Sequence, residues 1–490
     1  MAEALHTWLG ERREELEREL FGVVLPFWTE YSIDSEQGGF FTCLDATGQV
    51  YDEKKYVWLQ GRQCWMFARI ANSYTEEEIT ALSAKHRPSF RNSLQKGDSL
   101  ATRIDITRPS LINAAKRGVD FLFEHAIREE DGHVYFCLSR DGKPVLHQRK
   151  PFSALFLVMA LKEVGVAISD SSYVQKAMQL FLRAKGWIDT PGSLGKPALE
   201  GAPPLEALAE PMILLNVAEE LLSESASLEL SAEHNEMLRE IQRQSVRAIL
   251  KHVIRDPISK RVVHVPELVK EDGTPYYEGT EGRVLNYGHV IEAGWFLLSY
   301  CRSEQTRQSG SANDGDHGQT PLPPIPEIEA TALEVLDWAF EEGWDEENGG
   351  GILYFGDAKS MPVTSLEWSL KLFWPINEAM VASMHALLTV LHKGRGSIAD
   401  SETEMEAEKQ KERFSKTFNF ALQHMSDEKH GEWYGYLNRE CKVHLNFKGA
   451  AYKGCFHVPR SLLFCRELVD RALSVLEEGR KNSGGKEVKE

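Results

Sequence analysis

The 490-residue sequence has no apolar run of about 18 residues, so it predicts no membrane-spanning helix. The opening Met1-Ala2-Glu3-Ala4 passes into the charged stretch Glu11 to Glu19 without the apolar core of a secretory signal. Cysteine is scarce and odd in number: Cys43, Cys64, Cys137, Cys301, Cys441, Cys455 and Cys465. They are scattered, with no Cys-x-x-Cys pair, so neither a structural zinc site nor a disulfide framework is expected, and reduced thiols in the cytoplasm fit best. The stretch Gly192-Ser193-Leu194-Gly195-Lys196-Pro197 lacks the Gly-Lys-Ser/Thr ending of a phosphate-binding loop, and there is no His-Glu-x-x-His zinc signature. Positive charge is outnumbered, with 56 Lys and Arg against 74 Asp and Glu and a net charge of -18. That balance argues against nucleic acid or an anionic membrane as the partner.

What is present is globular composition, 42% hydrophobic and 27% charged, with enough apolar material for a large core. Length alone allows two or three domains. A recurring local pattern argues instead for one. Turn residues, often with glycine, lead into a short aromatic or β-branched run near Asp34 (Gln37-Gly38-Gly39-Phe40-Phe41), Glu130 (Asp131-Gly132-His133-Val134-Tyr135), Asp345 (Asn348 to Ile352) and Asp427 (His430-Gly431-Glu432-Trp433-Tyr434). Weaker copies begin near Asp189 and Asp256. Several close on a second turn, and the combination reads as a small β-hairpin.

Between the copies the apolar period becomes helical. Helices are predicted over residues 4–31, 56–73, 110–126, 152–164, 172–187, 206–222, 231–253, 288–300, 326–340, 365–391, 404–424 and 456–476. One helix pair cannot bury both its faces, whereas six pairs closed into a ring can. The expected architecture is therefore all-α, an (α/α)6 barrel with short β-hairpins gathered at one mouth. It should span residues 1–478 as a single catalytic domain, with surface insertions at 75–109, 303–324 and 393–402 and a frayed tail at 479–490. Ser309-Gly310-Ser311-Ala312-Asn313-Asp314-Gly315 has the composition of a disordered segment.

Helices that directly follow a hairpin should form the inner ring and begin at that mouth. Their first turns offer Tyr56 with Gln60 and Arg62, Glu210, His289 with Glu292, Glu367 with Glu378, and His457 with Arg460. Polar groups on apolar helices are costly unless paired, so several at equivalent places suggest a lined pocket. A lone histidine on such a helix is ordinarily a satisfied core residue. Two in matching first turns, with Glu292 at i+3 from His289 to hold its ring, point to acid–base chemistry. The His-x-x-Glu pair has no second copy, which argues against a di-iron centre, and no metal is expected. Glu210 and Glu378 could serve as the carboxylate pair of a glycosidase, which keeps that reaction class open. Aromatic faces suit the C–H faces of sugar rings. Of the eleven tryptophans, Trp58, Trp65, Trp295, Trp368, Trp374 and Trp433 sit in polar company.

The stretches Tyr56 to Arg62, Gly288 to Leu298, Leu366 to Trp368 through Glu378-Ala379-Met380, and Lys453 to Arg460 resemble the N-acylglucosamine 2-epimerase (renin-binding protein) family. The resemblance runs from about Phe27 to Leu468, interrupted by the three insertions. It implies an (α/α)6 barrel, a homodimer, and reversible conversion of N-acetyl-D-glucosamine to N-acetyl-D-mannosamine, a step of amino sugar and sialic acid metabolism. It places the catalytic groups on His289, His457, Arg62 and Glu378. The groups expected around the sugar, from the inner-helix starts and the aromatics near them, are Tyr56, Gln60, Glu210, Glu292, Trp295, Trp374 and Arg460. The resemblance also implies ATP as an activator that is not consumed, and renin as a partner through a region overlapping Leu205 to Leu222, a stretch that reads more simply as a packed helix. An aldose–ketose isomerase or a cellobiose 2-epimerase would share the barrel and the histidines. A protein that only holds renin would not need them.

Overall fold

The computed structural model describes every residue except 1, 88–99, 191, 196–200, 202, 224–225, 227–228, 311–321, 397–400 and 485–490. Six helices form an inner ring: α3 (Val57–Ser73), α6 (Phe152–Ile168), α8 (Ala209–Leu221), α10 (Tyr287–Gly310), α12 (Phe373–Lys393) and α14 (His457–Gly484). Each packs on the next, and α14 returns to α3. The outer ring is α5 (Arg108–His125), α7 (Ser171–Asp189), α9 (Ala232–Lys251), α11 (Ile325–Gly343), α13 (Ser401–His424) and, against α14, α1 (Ala2–Arg18). A π-helical stretch, Glu19–Val24, joins α1 to α2 (Leu25–Tyr31), so the single N-terminal helix expected from the sequence is continuous but locally overwide.

The two rings differ in composition because they differ in what covers them. An inner helix has neighbours on both sides and an outer helix behind, so Ser153 to Gly165 of α6 are all buried. An outer helix has one buried stripe. In α9 it is Leu238, Ile241, Gln242, Ser245, Val246 and Ile249, spaced three or four residues apart.

The hairpins interlock where the sequence suggested self-contained ones. Lys55–Tyr56, just before α3, pairs with Cys137–Leu138 of the following loop, which itself pairs with Pro144–Leu146. Likewise Leu205–Ala207 pairs with Leu268–Lys270, Val284–Asn286 with Phe355–Asp357, and Lys371–Leu372 with Tyr436–Leu437. Four of the inner helices are thus entered from a strand held by the next repeat. This corrects two predicted helix starts. Residues 205–207 and 371–372 are strand, and Glu367 sits in a turn with its carboxylate on Ser365 Oγ, 2.8 Å away. The weak copy near Asp189 lies where α7 ends, and much of its loop is outside the described residues.

The loops share one internal device. An aspartate after the outer helix accepts backbone amides: Asp34 from Glu36 and Gln37, Asp427 from Lys429 and His430. A fully buried lysine then reaches in from later in the chain, Lys55 from a strand and Lys448 from a bend. Lys55 Nζ lies 3.0 Å from Asp34, and Lys448 Nζ lies 3.1 Å from Asp427 while donating to the carbonyls of Gly431 and Glu432, each at 2.8 Å. Inside a dry loop the ammonium takes the place of water for carbonyls that would otherwise be orphaned.

The expected insertions are less separate than their composition suggested. Glu76–Lys85 forms α4, capped by a reciprocal Thr75–Glu78 box and packed on the π-helical stretch. Helix α10 runs on to Gly310, into the second insertion, and residues 311–321 of the expected disordered segment lie outside the described residues. Helix α14 continues to Gly484, past the predicted tail boundary at 479. No described helix is long and apolar enough to cross a membrane.

Candidate active site

A cavity of about 500 Å³ opens at the hairpin mouth, walled by the first turns of the inner helices. Its depth follows helical spacing. Trp58 and Arg62 line it from α3, Met212 and Asn216 from α8, and His289, Glu292 and Phe296 from α10. Phe456, just ahead of α14, and Arg460 in its first turn close it.

The two histidines flank α12, with Trp374 between them. Its ring centroid is 5.3 Å from that of His289 and 6.0 Å from that of His457. Each histidine is anchored through Nδ1 to a carboxylate. His457 Nδ1 is 2.7 Å from Glu378 Oε1, and His289 Nδ1 is 2.7 Å from Glu267 Oε1. An ionised carboxylate only accepts, so both rings carry their proton on Nδ1 and leave Nε2 for chemistry.

Their surroundings are opposite in charge. Glu378 is fully buried and already engaged: Arg460 donates to Oε1 at 2.5 Å and Trp295 to Oε2 at 2.9 Å. Burial, followed by the Arg62 and Arg460 guanidinium groups, pushes His457 well below the ordinary imidazole value. At His289 burial also opposes the cation, but the Glu267 carboxylate outweighs it and holds the pKa above its usual value. The two shifts run in opposite directions, so His457 is the more readily deprotonated ring and His289 the one that holds a second proton longer.

Arg62 sits in an aromatic box, its guanidinium carbon 4.4 Å from the Trp58 centroid, 4.1 Å from Phe156 and 4.7 Å from Phe456. Its Nε has no hydrogen-bond partner among the described residues. Burial, then the charge of Arg460, lowers its pKa to about 9, so it still carries its charge at neutral pH. A buried cation facing a cavity without a counter-ion bonded to it is an anion site in waiting. Glu292, Glu378 and His457 offer ligand atoms within 4.8 Å of one another, the spacing of a metal site. That space belongs to Arg460, whose NH2 lies 3.1 Å from Glu292, 2.5 Å from Glu378 and 3.4 Å from His457. The donor set encloses a guanidinium, which supplies the positive charge an ion would bring.

The structure gathers His289, His457, Arg62, Glu378, Glu292, Arg460 and Trp374 around this centre and places Glu210 on the cavity wall. It separates others from it. Gln60 points to the outer layer, its amide clamped both ways on the Phe40 backbone at 2.8 Å. Tyr56 lies behind Phe136, 5.7 Å between centroids, with Phe136 on the wall. Trp295 is buried beyond Glu378 and supports that carboxylate. Glu292 pairs with Arg460, so the expected role of orienting His289 passes to Glu267. Glu267 carries no sequence signal of this role, since it sits in a loop ahead of Leu268–Lys270 and not in the first turn of an inner helix. Its backbone N–H donates to Val284 and its carbonyl accepts from Leu208, which fixes it beside His289. Tyr354 was also missed; it lines the cavity near Trp374, its phenol pushed up to about 12 by burial.

A helical barrel with two carboxylate-anchored histidines at its mouth, one acidic and one basic, is an acid–base enzyme of the sugar isomerase type. The chain belongs to the N-acylglucosamine 2-epimerase family, whose model matches residues 99–458. It is 37% identical to the N-acylglucosamine 2-epimerase of Bos taurus over 477 residues, covering 97% of this chain and 94% of the bovine protein. Identity to the Homo sapiens N-acylglucosamine 2-epimerase is 36% over 475 residues, covering 96% and 92%. Among solved structures, cellobiose 2-epimerase from Spirochaeta thermophila superposes with a TM-score of 0.65 at 19% identity, over 94% of this chain and 97% of that one. That likeness bears on the fold, the (α/α)6 barrel.

Proposed function

We propose that the protein reversibly converts N-acetyl-D-glucosamine to N-acetyl-D-mannosamine by moving the proton at C2. The observation that carries this is a pair of histidines each held through Nδ1 by a carboxylate at 2.7 Å, His457 by Glu378 and His289 by Glu267. Burial, then Arg62 and Arg460, lower the pKa of His457, while Glu267 outweighs burial and raises that of His289. Inverting C2 requires a base on one face and an acid on the other, and the two shifts run in those directions.

Ring opening exposes the C1 aldehyde and acidifies the C2–H. The neutral Nε2 of His457 takes that proton while negative charge gathers on the C1 oxygen. Arg62 meets the oxyanion with a charge that needs no reorganisation. The Nε2 proton of His289 is then delivered to C2 from the other face. In the reverse direction the same total proton count applies with the roles exchanged. Glu378 keeps His457 in the required tautomer, and Arg460, bonded to the same carboxylate oxygen, offsets the negative charge that would otherwise hold His457 as an imidazolium unable to accept a proton. Family membership supports a homodimer and ATP as an unconsumed activator as further parts of this reading. Renin binding through residues 205–222 has less support, because Leu214, Leu215 and Leu221 of that inner-ring helix are buried.

Incubation with N-acetyl-D-mannosamine in deuterated water tests the proposal. Deuterium at C2 of both sugars is the expected result, and conversion without label, or no conversion, would sink it. His289→Ala and His457→Ala should each lower turnover by roughly 10²–10⁴ with the melting profile retained. A ketose product would instead favour an aldose–ketose isomerase.

A further inference from the structure

The acid–base pair and Arg62 account for the reacting carbon and the C1 oxygen, and they leave one side of the cavity without a task. On that side stand two polar groups. Asn216, in the second turn of α8, is 7% exposed, and Ser153, in the first turn of the adjacent α6, is 4% exposed. Both line the cavity. No hydrogen bond ties either side chain to another described residue, and neither is among the polar atoms sealed from solvent without a partner, so both open on the cavity. The wall around them is apolar: Phe156, Met212, Ile213 and Phe296.

The ring order gives this wall a direction. In sequence around the barrel stand α3 with Arg62, α6 with Ser153, α8 with Asn216, α10 with His289, α12 with Trp374 and α14 with His457. In the mechanism proposed above C2 becomes planar between the two histidines and the C1 oxygen is held at Arg62. With those positions taken, the sector left for the nitrogen substituent is the wall of α6 and α8.

We propose that Asn216, assisted by Ser153, is the specificity-determining group that recognises the acylamino substituent at C2. The inference rests on the epimerase reading above and deepens it. A secondary amide has one N–H donor and one C=O acceptor, and a carboxamide side chain answers both. The acyl methyl then meets Met212, Ile213 and Phe296. A sugar carrying only a hydroxyl at C2 would leave the asparagine partly unpaired and the apolar wall unfilled, so the site discriminates by a polar group left unsatisfied.

The test compares Asn216→Ala and Asn216→Asp with the unaltered protein, using N-acetyl-D-mannosamine as substrate and D-mannose as competing ligand, with thermal melts in parallel. Losing one neutral hydrogen-bonded contact of this kind corresponds to roughly a tenfold weakening. The expected result is a KM for N-acetyl-D-mannosamine raised about that much by Asn216→Ala, with kcat little changed and the inhibition constant of D-mannose unmoved. Asn216→Asp, nearly the same shape, should lose more, since it replaces a donor by a negative oxygen. Ser153→Ala should move KM in the same direction by less. An unchanged KM, or an equal loss for both sugars, overturns the assignment of Asn216 while leaving the epimerase reading in place. Unaltered protein that neither converts nor binds N-acetyl-D-mannosamine overturns both.

Discussion

Two histidines in first turns of inner helices look equivalent in the sequence, yet they are unlike groups. Both have a carboxylate at 2.7 Å, but burial and the guanidinium charges of Arg62 and Arg460 lower the pKa of His457, whereas Glu267 outweighs burial at His289. Activity should therefore be bell-shaped in pH. The acid limb marks protonation of His457, well below the ordinary imidazole range. The alkaline limb marks loss of the His289 proton, above it. Because both directions need the singly protonated pair, forward and reverse reactions should share one profile. Glu267→Gln removes the charge that holds His289 high, so the alkaline limb of kcat/KM should move to lower pH, with a rate loss smaller than that of His289→Ala. A profile unchanged by Glu267→Gln would show that another group sets that limb.

The elements are held at the mouth by close approaches and buried charge. Gly61, beside Arg62, faces α6 so closely that an added Cβ would lie 2.7 Å from the Phe156 carbonyl oxygen, which is backbone and cannot yield. Gly61→Ala should push α3 from α6 and disturb the box around Arg62. A loss of about 1–3 kcal/mol in chemical denaturation is expected, together with a lower kcat. The loop aspartates add a pH term. Burial raises their pKa, but hydrogen bonds outweigh it: Arg140 and the Gln37 amide at Asp34, and Lys448 and His430 at Asp427, hold both below the ordinary value. Groups with a depressed folded-state pKa stabilise fully above the unfolded carboxylate value and lose that contribution as pH falls through the lower folded one. Melting temperature should fall steeply only below about pH 4. A decline beginning near pH 6 would point to histidines instead.

At the scale of the molecule the ring is closed by its ends. Helix α1 backs the C-terminal α14, and Trp28 Nε1 donates at 2.5 Å to Glu432 Oε2, whose Oε1 holds Lys453 at 2.9 Å. Glu19 takes the Trp433 indole at 3.0 Å. Lys453 opens the stretch that delivers His457. Deleting residues 2–31 should therefore cost the whole barrel its cooperative unfolding, and with it the catalytic centre. A truncated protein that melts cooperatively and retains activity would show the ring to be stable when open.

Much of this was legible in the chain itself. The helical period and the recurring turn–strand signals are local properties, written in consecutive residues, and they suffice to count helix pairs and infer a closed ring. Long motifs around Arg62, His289 and His457 carried the family and its chemistry. Contacts between distant segments were not legible, because no local pattern encodes a partner from another repeat. Glu267 became the anchor of His289 only when its loop was pinned by Leu208 and Val284. Gln60, in the right helix turn for a ligand contact, was turned to Phe40 by the packing of the first loop. Asn216 and Ser153 acquired meaning only when adjacent helices set them, unpaired, on one wall. Periodicity determined the barrel, and the tertiary structure decided which charge faces which histidine, since electrostatics depends on distance in space and not on separation along the chain.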